Sequence, residues 1–189
     1  MVQTAAHLVD EVLPRVPFRQ FVISFPMRVR HYLQTHTILQ SVLKIVVDEI
    51  RKRLIICSPN VDNPQFGAIS FIQQFGNTLN YHPHFHLVVA DGVFNGTSTT
   101  ALQFNEAFLR PDDIADTQDS IQKRVLGYFC KREFFKKSEV EKMLSYESSR
   151  FSLDANVRIQ SWDKDGLERL IRYCARPPFK SENIRCNGP

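Results

Sequence analysis

The four cysteines of this 189-residue chain, Cys57, Cys130, Cys174 and Cys186, are scattered, and no two stand at C-x-x-C spacing. That excludes a thiolate zinc site of the usual kind and gives no disulfide framework. A reduced, cytoplasmic setting is the expectation. No apolar run approaches the roughly 18 to 20 residues that a membrane span needs. The first residues show no basic stretch followed by an apolar one, so neither a membrane protein nor a signal peptide is expected. Internal repeats and low-complexity segments are missing too.

What is there suits one soluble domain with a core. Apolar residues make up 43 % and charged residues 23 %, a globular balance rather than a disordered one. The formal charge is only +4, but it is unevenly spread. Asp112, Asp113, Asp116 and Asp119 form an acidic stretch. Lys123, Arg124, Lys131, Arg132, Lys136 and Lys137 follow as a basic one, with Phe134 and Phe135 inside it, and Arg51-Lys52-Arg53 is a second basic knot. Such runs most often mark a solvated helix face, and the functional alternative is a surface for a polyanion.

Residues 18–25 are rich in β-formers and stop at Pro26, which predicts a strand. Leu39, Val42, Leu43, Val46, Val47, Ile50 and Leu54 recur at helical spacing and predict a helix over 38–54. Ile69, Ile72, Phe75 and Leu79 read as the stripe of a second helix. A strand is predicted over 82–90, a turn at Asn95-Gly96, a charged helical region over 112–145 and a short strand at 157–159. A last helix is expected with Asp165 as N-cap and Glu168 as its capping-box partner, ending at Pro177-Pro178. Strands and helices mix without a strict βαβ rhythm, so the expected class is α+β.

The sharpest local signal is Tyr81-His82-Pro83-His84-Phe85-His86-Leu87-Val88-Val89. Alternate side chains of a strand share a face. His84 and His86 are therefore expected on one side, with Phe85, Leu87 and Val89 pointing into the core. Two imidazoles on one face of a rigid strand begin a divalent-metal site, although an H-x-H by itself is a weak motif. On the last helix, Tyr173 sits at the shoulder of the apolar face made by Leu167, Leu170, Ile171 and Cys174. Arg169 stands four residues before it and Arg176 three after. A phenol among guanidinium groups can attack a phosphate whose charge they hold. The same pattern also suits a tyrosine packed at a core edge.

Five collinear stretches resemble the rolling-circle insertion-sequence transposases of the HUH superfamily. They are residues 4–26 (TAAHLVDEVLPRVPFRQFVISFP), 67–80 (GAISFIQQFGNTLN), 84–94 (HFHLVVADGVF), 151–159 (FSLDANVRI) and 167–178 (LERLIRYCARPP). The resemblance implies an antiparallel HUH-type central sheet flanked by helices, with the H-x-H on a central strand. It implies Mg²⁺ or Mn²⁺ held by His84 and His86, with Gln73 as the candidate third ligand. Tyr173 would be the nucleophile that nicks single-stranded DNA at transposon ends, leaving a 5′-phosphotyrosine and a free 3′-hydroxyl. Arg169, Arg172 and Arg176 are the candidate DNA contacts. Arg169 occupies the position where many relatives carry a second tyrosine, and Asp154 stands where relatives tend to have histidine. The resemblance further implies one partial catalytic core over residues 1–189, with the relatives' N-terminal zinc-binding domain and their C-terminal part outside it. Two other readings stay open. One is a noncatalytic DNA-binding remnant. The other is a metal-dependent hydrolase, which the lack of an acidic general base near the pair disfavours.

Overall fold

A computed structural model describes residues 2–76, 80–96, 103–145 and 151–176. The elements run α1 (Val2–His7), a π-helical turn (Leu8–Val12), β1 (Phe18–Ser24), α2 (Met27–Arg30), a 3-10 turn (His31–Gln34), α3 (His36–Ile56), β2 (Pro64–Gln65), β3 (Ala68–Phe75), β4 (Tyr81–Ala90), β5 (Gly92–Asn95), β6 (Phe104–Glu106), α4 (Pro111–Lys131), α5 (Lys137–Ser145), β7 (Ser152–Asp154), β8 (Arg158–Ile159) and α6 (Lys164–Cys174). The fold is α+β, as the mixed pattern of the sequence implies. No described helix is long and apolar enough to cross a membrane.

The main sheet is antiparallel, in the order β3-β4-β1-β7, with β8 continuing beside β1. β4 is therefore an inner strand, paired with β1 from Phe18↔Ala90 to Ser24↔His84 and with β3 from Ala68↔Val89 to Phe75↔Tyr81. A small sheet, β2-β5-β6, lies beyond its end. β4 has a strand on either edge and packed side chains over both faces, and Leu87, Val88 and Val89 are fully buried. Alternation divides these side chains. Phe85, Leu87 and Val89 join Phe21, Ile23 and Phe25 in a large core with Val42, Val46 and Ile50 of α3 and Ile121, Val125 and Phe129 of α4. Val88 and Ala90 join Phe18 in a smaller core with Leu167, Leu170, Ile171 and Cys174 of α6. Each fully buried aliphatic or aromatic side chain contributes about 1.5–3 kcal/mol of transfer free energy.

Two expectations need correcting. The segment expected as a helix with the stripe Ile69, Ile72 and Phe75 is the edge strand β3, and Leu79 lies outside the described residues. An edge strand beside a partly covered face carries few apolar residues on its open side. Three-residue spacing among Ile69, Ile72 and Phe75 then mimics a helix, while the alternation that matters is Ile69, Phe71 and Gln73 half-buried against exposed Ser70 and Ile72. The last helix starts earlier than expected. Asp163, not Asp165, is the N-cap, its Oδ1 accepting the Gly166 amide at 2.8 Å. Glu168 instead faces Arg172 at 3.7 Å. The helix ends at Cys174, and Pro177-Pro178 lies outside the described residues.

Pro83 does not end β4. The register of β3 shifts between Gln73 and Phe75, opposite Pro83, and pairing with β1 stops at His84. The missing N–H therefore costs no ladder bond. The charged region splits into α4 and α5, separated by a turn in which Glu133 takes φ 60°.

Asp91, directly after β4, is fully buried. Its carboxylate accepts from Arg19 at 2.8 and 2.9 Å and from Arg158 Nε at 2.6 Å, and Arg158 also binds Glu106. This cluster pins β1, β4, β6 and β8 together at the end of the sheet away from the histidines. Asp91→Ala leaves Arg19 with no counter-charge and Arg158 with Glu106 alone, and we expect it to lower the unfolding free energy by about 3–5 kcal/mol, as read from the urea midpoint. A loss below about 1 kcal/mol would show that the cluster is not a clasp.

Candidate functional site

The α6-facing side of the main sheet carries His82, His84 and His86 in a row. Adjacent ring centroids lie 5.6 and 5.0 Å apart. Cross-strand partners extend the row, with Gln73 and Ser24 flanking His84, and Phe71 and Val22 flanking His86. His84 and His86 thus share one face of an inner strand, where the two-residue period puts them.

Hydrogen bonding sets the tautomer of a neutral His84. Its Nδ1 lies 2.7 Å from the His82 carbonyl oxygen. A carbonyl only accepts, so Nδ1 carries a proton, and in the neutral ring Nε2 then keeps the lone pair. Gln73 Nε2 donates to the Cys174 carbonyl at 3.0 Å, which turns its Oε1 toward His84 Nε2 at 3.1 Å. Two lone-pair atoms therefore face each other. A divalent cation between them, or a second proton on His84, satisfies both. Adjacent ligands of an octahedral Mg²⁺ at about 2.1 Å from the metal stand about 3 Å apart, so the spacing of Nε2 and Oε1 fits such an ion. A backbone carbonyl behind the far ring nitrogen is also the usual orienting contact of a metal-binding histidine.

His86 is buried, and its Nδ1 meets Gln20 Nε2 at 2.9 Å. Gln20 Nε2 also lies 3.2 Å from Cys174 Sγ. Burial, and secondarily the neighbouring His84, pushes the His86 pKa from 6.5 down to about 4, so its ring is neutral at physiological pH. Burial likewise pushes the Cys174 thiol up to about 11, which makes it a packing thiol rather than a nucleophile. The other described cysteines, Cys57 and Cys130, are free, and Cys186 lies outside the described residues.

Helix α6 lies across this face. Its apolar stripe packs on Val88 and Ala90, and Gln73 and Gln20 both reach Cys174. That docking brings the Tyr173 ring to 5.9 Å from the His86 ring, nearly perpendicular to it, while half of Tyr173 stays exposed. The Arg176 guanidinium stacks over the Tyr173 ring at 5.7 Å. Arg169 and Arg172 face solvent, with only long contacts to Asp163 at 3.9 Å and Glu168 at 3.7 Å. Such exposed pairs are weak and easily exchanged for a phosphate. His84, His86, Gln73, Tyr173 and Arg176 are thereby gathered in one place, with Arg169 and Arg172 on the same helix.

Other expected residues lie elsewhere. Among the described residues no further His, Cys, Asp or Glu joins the pair as a third ligand. Asp154 is separated from His86 by the whole width of β1, since both register with Val22. Its carboxylate accepts the Asn156 amide at 2.8 Å. The basic runs belong to α3, α4, the turn after α4 and the start of α5, behind the opposite sheet face. Arg53 pairs with Asp113 at 3.2 Å and Asp116 at 3.1 Å, and Arg124 pairs with Glu49. Phe134 stacks on Tyr32 at 4.9 Å, and Phe135 is buried and stacks on Phe129. These aromatics are core, not a platform for bases. Gln20 escaped the sequence reading. The signal was a long polar side chain on the buried face of an otherwise apolar strand.

The family model described as "Putative transposase" matches residues 67–188. This span is well over half of the chain and carries β3, β4 and α6 with His84, His86 and Tyr173. The chain belongs to this transposase family. No curated protein and no solved structure matches it.

The buried neutral His86 makes a pH prediction. Its folded pKa is depressed, so above pH 6.5 both folded and unfolded chains hold it neutral. Between pH 6.5 and about 4 only the unfolded chain takes up the proton, and stability falls with pH by up to about 3 kcal/mol. NMR titration of the metal-free protein should find the His86 ring still neutral at pH 5.5. A midpoint near 6.5 would contradict the burial argument.

Proposed function

We propose that this transposase-family chain nicks and transfers single-stranded DNA, with Tyr173 as nucleophile and Mg²⁺ or Mn²⁺ held by His84, His86 and Gln73. The observation that carries the reading is the approach of Tyr173 to the histidine pair, between segments some 90 residues apart in sequence. A tyrosine packed at a core edge for its own sake needs no such neighbours. The resemblance to the HUH transposases supports the same assignment.

The reaction balances without a further reactant. The Tyr173 phenol oxygen bonds to phosphorus, and the bond from phosphorus to the 3′-oxygen of the preceding nucleotide breaks. The phenol gives up one proton and the departing 3′-oxygen takes one. The products are a 5′-phosphotyrosine, which keeps the bond energy for rejoining, and a 3′-hydroxyl. Arg176, seated over the phenol ring, holds positive charge beside the attacked phosphate. His86 stays neutral in its buried setting and so adds no repelling charge; its Nδ1 lone pair accepts from the Gln20 amide, and binding an ion through Nε2 requires that amide to turn so that its oxygen accepts from Nδ1. Gln73 ties the metal strand to the carbonyl of Cys174, next to the nucleophile, and fixes their spacing. A bound Mg²⁺ or Mn²⁺ supplies Lewis-acid polarisation of the phosphate.

Tyr173→Phe removes one hydroxyl and little packing. With a single-stranded oligonucleotide and Mn²⁺, the wild-type chain is expected to yield a covalent protein–DNA adduct on a denaturing gel. The Phe variant should yield none while its DNA affinity stays within about twofold. An adduct that persists in the Phe variant rejects Tyr173 as nucleophile. DNA binding with no adduct from the wild type would favour the noncatalytic DNA-binding reading.

Binding itself is expected to weaken with salt. Three arginine–phosphate contacts on single-stranded DNA give a slope of about −2 in log K against log salt, at about −0.7 per contact. Replacing Arg169, Arg172 and Arg176 together by Ala should make it shallower by about 2, whereas Arg53→Ala should leave it unchanged because Arg53 is held by two aspartates. The reverse pattern would place the DNA on the other face of the sheet.

A further inference from the structure

One surface feature has no role in the fold or in the nicking chemistry. Trp162, the chain's single tryptophan, is 78 % exposed. It sits in the turn that leads into α6, where Asp163 N bonds the Gln160 carbonyl at 3.0 Å and Lys164 N the Trp162 carbonyl at 3.1 Å. Beside it is a concavity of about 370 Å³, lined by Trp162, Gln160, Ser161 and Lys164 on one wall and by Leu13 and Arg15 on the other. The wall residues come from the segment after the π-helical turn and from the start of α6, so two separately packed pieces of chain form the concavity.

We propose that this concavity is a subsite for one unpaired nucleobase of the DNA strand, stacked on Trp162, with its phosphate held by Arg15. The inference rests on the DNA reading above. Three observations support it. Leaving an indole this exposed forgoes a large burial gain, and a stacking partner recovers it. An indole face accepts any base, which suits a strand bound without pairing. Arg15 is exposed and makes no ion pair or hydrogen bond among the described residues, whereas the other cation, Lys164, is already matched by Asp10 at 2.5 Å. The groove thus offers one net positive charge for one phosphate. Its position also fits. Trp162 and Tyr173 stand at opposite ends of α6, about 15 Å apart along the axis at about 1.5 Å per residue, so a strand attacked at Tyr173 reaches Trp162 within a few nucleotides while passing Arg169 and Arg172. Unlike the histidine face, the subsite needs no metal.

Because Trp162 is the only tryptophan, its fluorescence reports this subsite alone. The full chain, held in EDTA so that no strand is cut, is titrated with a 20-nucleotide oligo-dT, and binding is followed in parallel by anisotropy of a labelled strand. We expect tryptophan quenching that saturates at the Kd given by anisotropy, and much weaker quenching by a duplex. Trp162→Ala should raise the Kd about 5- to 150-fold, the range for one stacked base, and Trp162→Phe should restore most of the affinity. Arg15→Ala should lower the salt slope by about 0.7. Since both side chains are exposed, these variants should melt like the wild type. Binding seen by anisotropy with no quenching, or a Trp162→Ala variant of unchanged affinity, would overturn the subsite and leave the DNA reading standing. No binding by anisotropy even at low salt would overturn both.

Discussion

The candidate site depends on one constraint: β4 is an inner strand whose two faces must both be buried. β1 and β3 satisfy its backbone on either side, so its side chains alone decide what covers it. Phe85, Leu87 and Val89 draw α3 and α4 onto one face, and Val88 and Ala90 draw α6 onto the other. The histidines share a face with Val88 and Ala90. The helix that seals the smaller core therefore cannot dock without carrying Tyr173 to His86. Packing and the proposed chemistry are linked through a single two-residue period.

The polar groups at that interface would be costly if left unpaired, and two glutamines resolve the cost. Gln20 from β1 meets His86 and Cys174, and Gln73 from β3 meets His84 and the Cys174 carbonyl. Each amide joins a histidine to the same residue of α6, so the distance from Tyr173 to the histidine pair is set from both neighbouring strands. The only opposed lone pairs in this network, on His84 and Gln73, are where a cation fits. A buried polar network of this kind favours one arrangement over slipped ones, because any shift leaves donors and acceptors unmatched.

The inner strands and the long helices were legible in the sequence because burial imposes a clean period: β1, β4, α3 and the apolar stripe of α6 all follow from spacing. β3 was not, because an edge strand packs one face only and its apolar residues fall at misleading intervals. The shared face of His84 and His86 was legible for the same reason that β4 was. The approach of Tyr173 came only from the family resemblance, since no local pattern joins positions 86 and 173. The basic runs were legible only as charge, because Asp113, which neutralises Arg53, is 60 positions away and Phe135 is hidden by the packing of α2 and α4. Gln20 had a polar-in-apolar signal but no partner visible in one dimension.

That the histidine pair and the tyrosine form one metal-dependent centre is the central claim, and paramagnetic broadening by Mn²⁺ tests it directly. Substoichiometric Mn²⁺ added to isotope-labelled protein without DNA broadens only resonances near the ion. The account predicts early loss of the His84, His86 and Tyr173 ring signals and of the Gln73 side-chain amide, with Phe134 and the α4 amides untouched. Broadening centred on Asp112, Asp116 and Asp119, with the histidine rings still sharp, would contradict it.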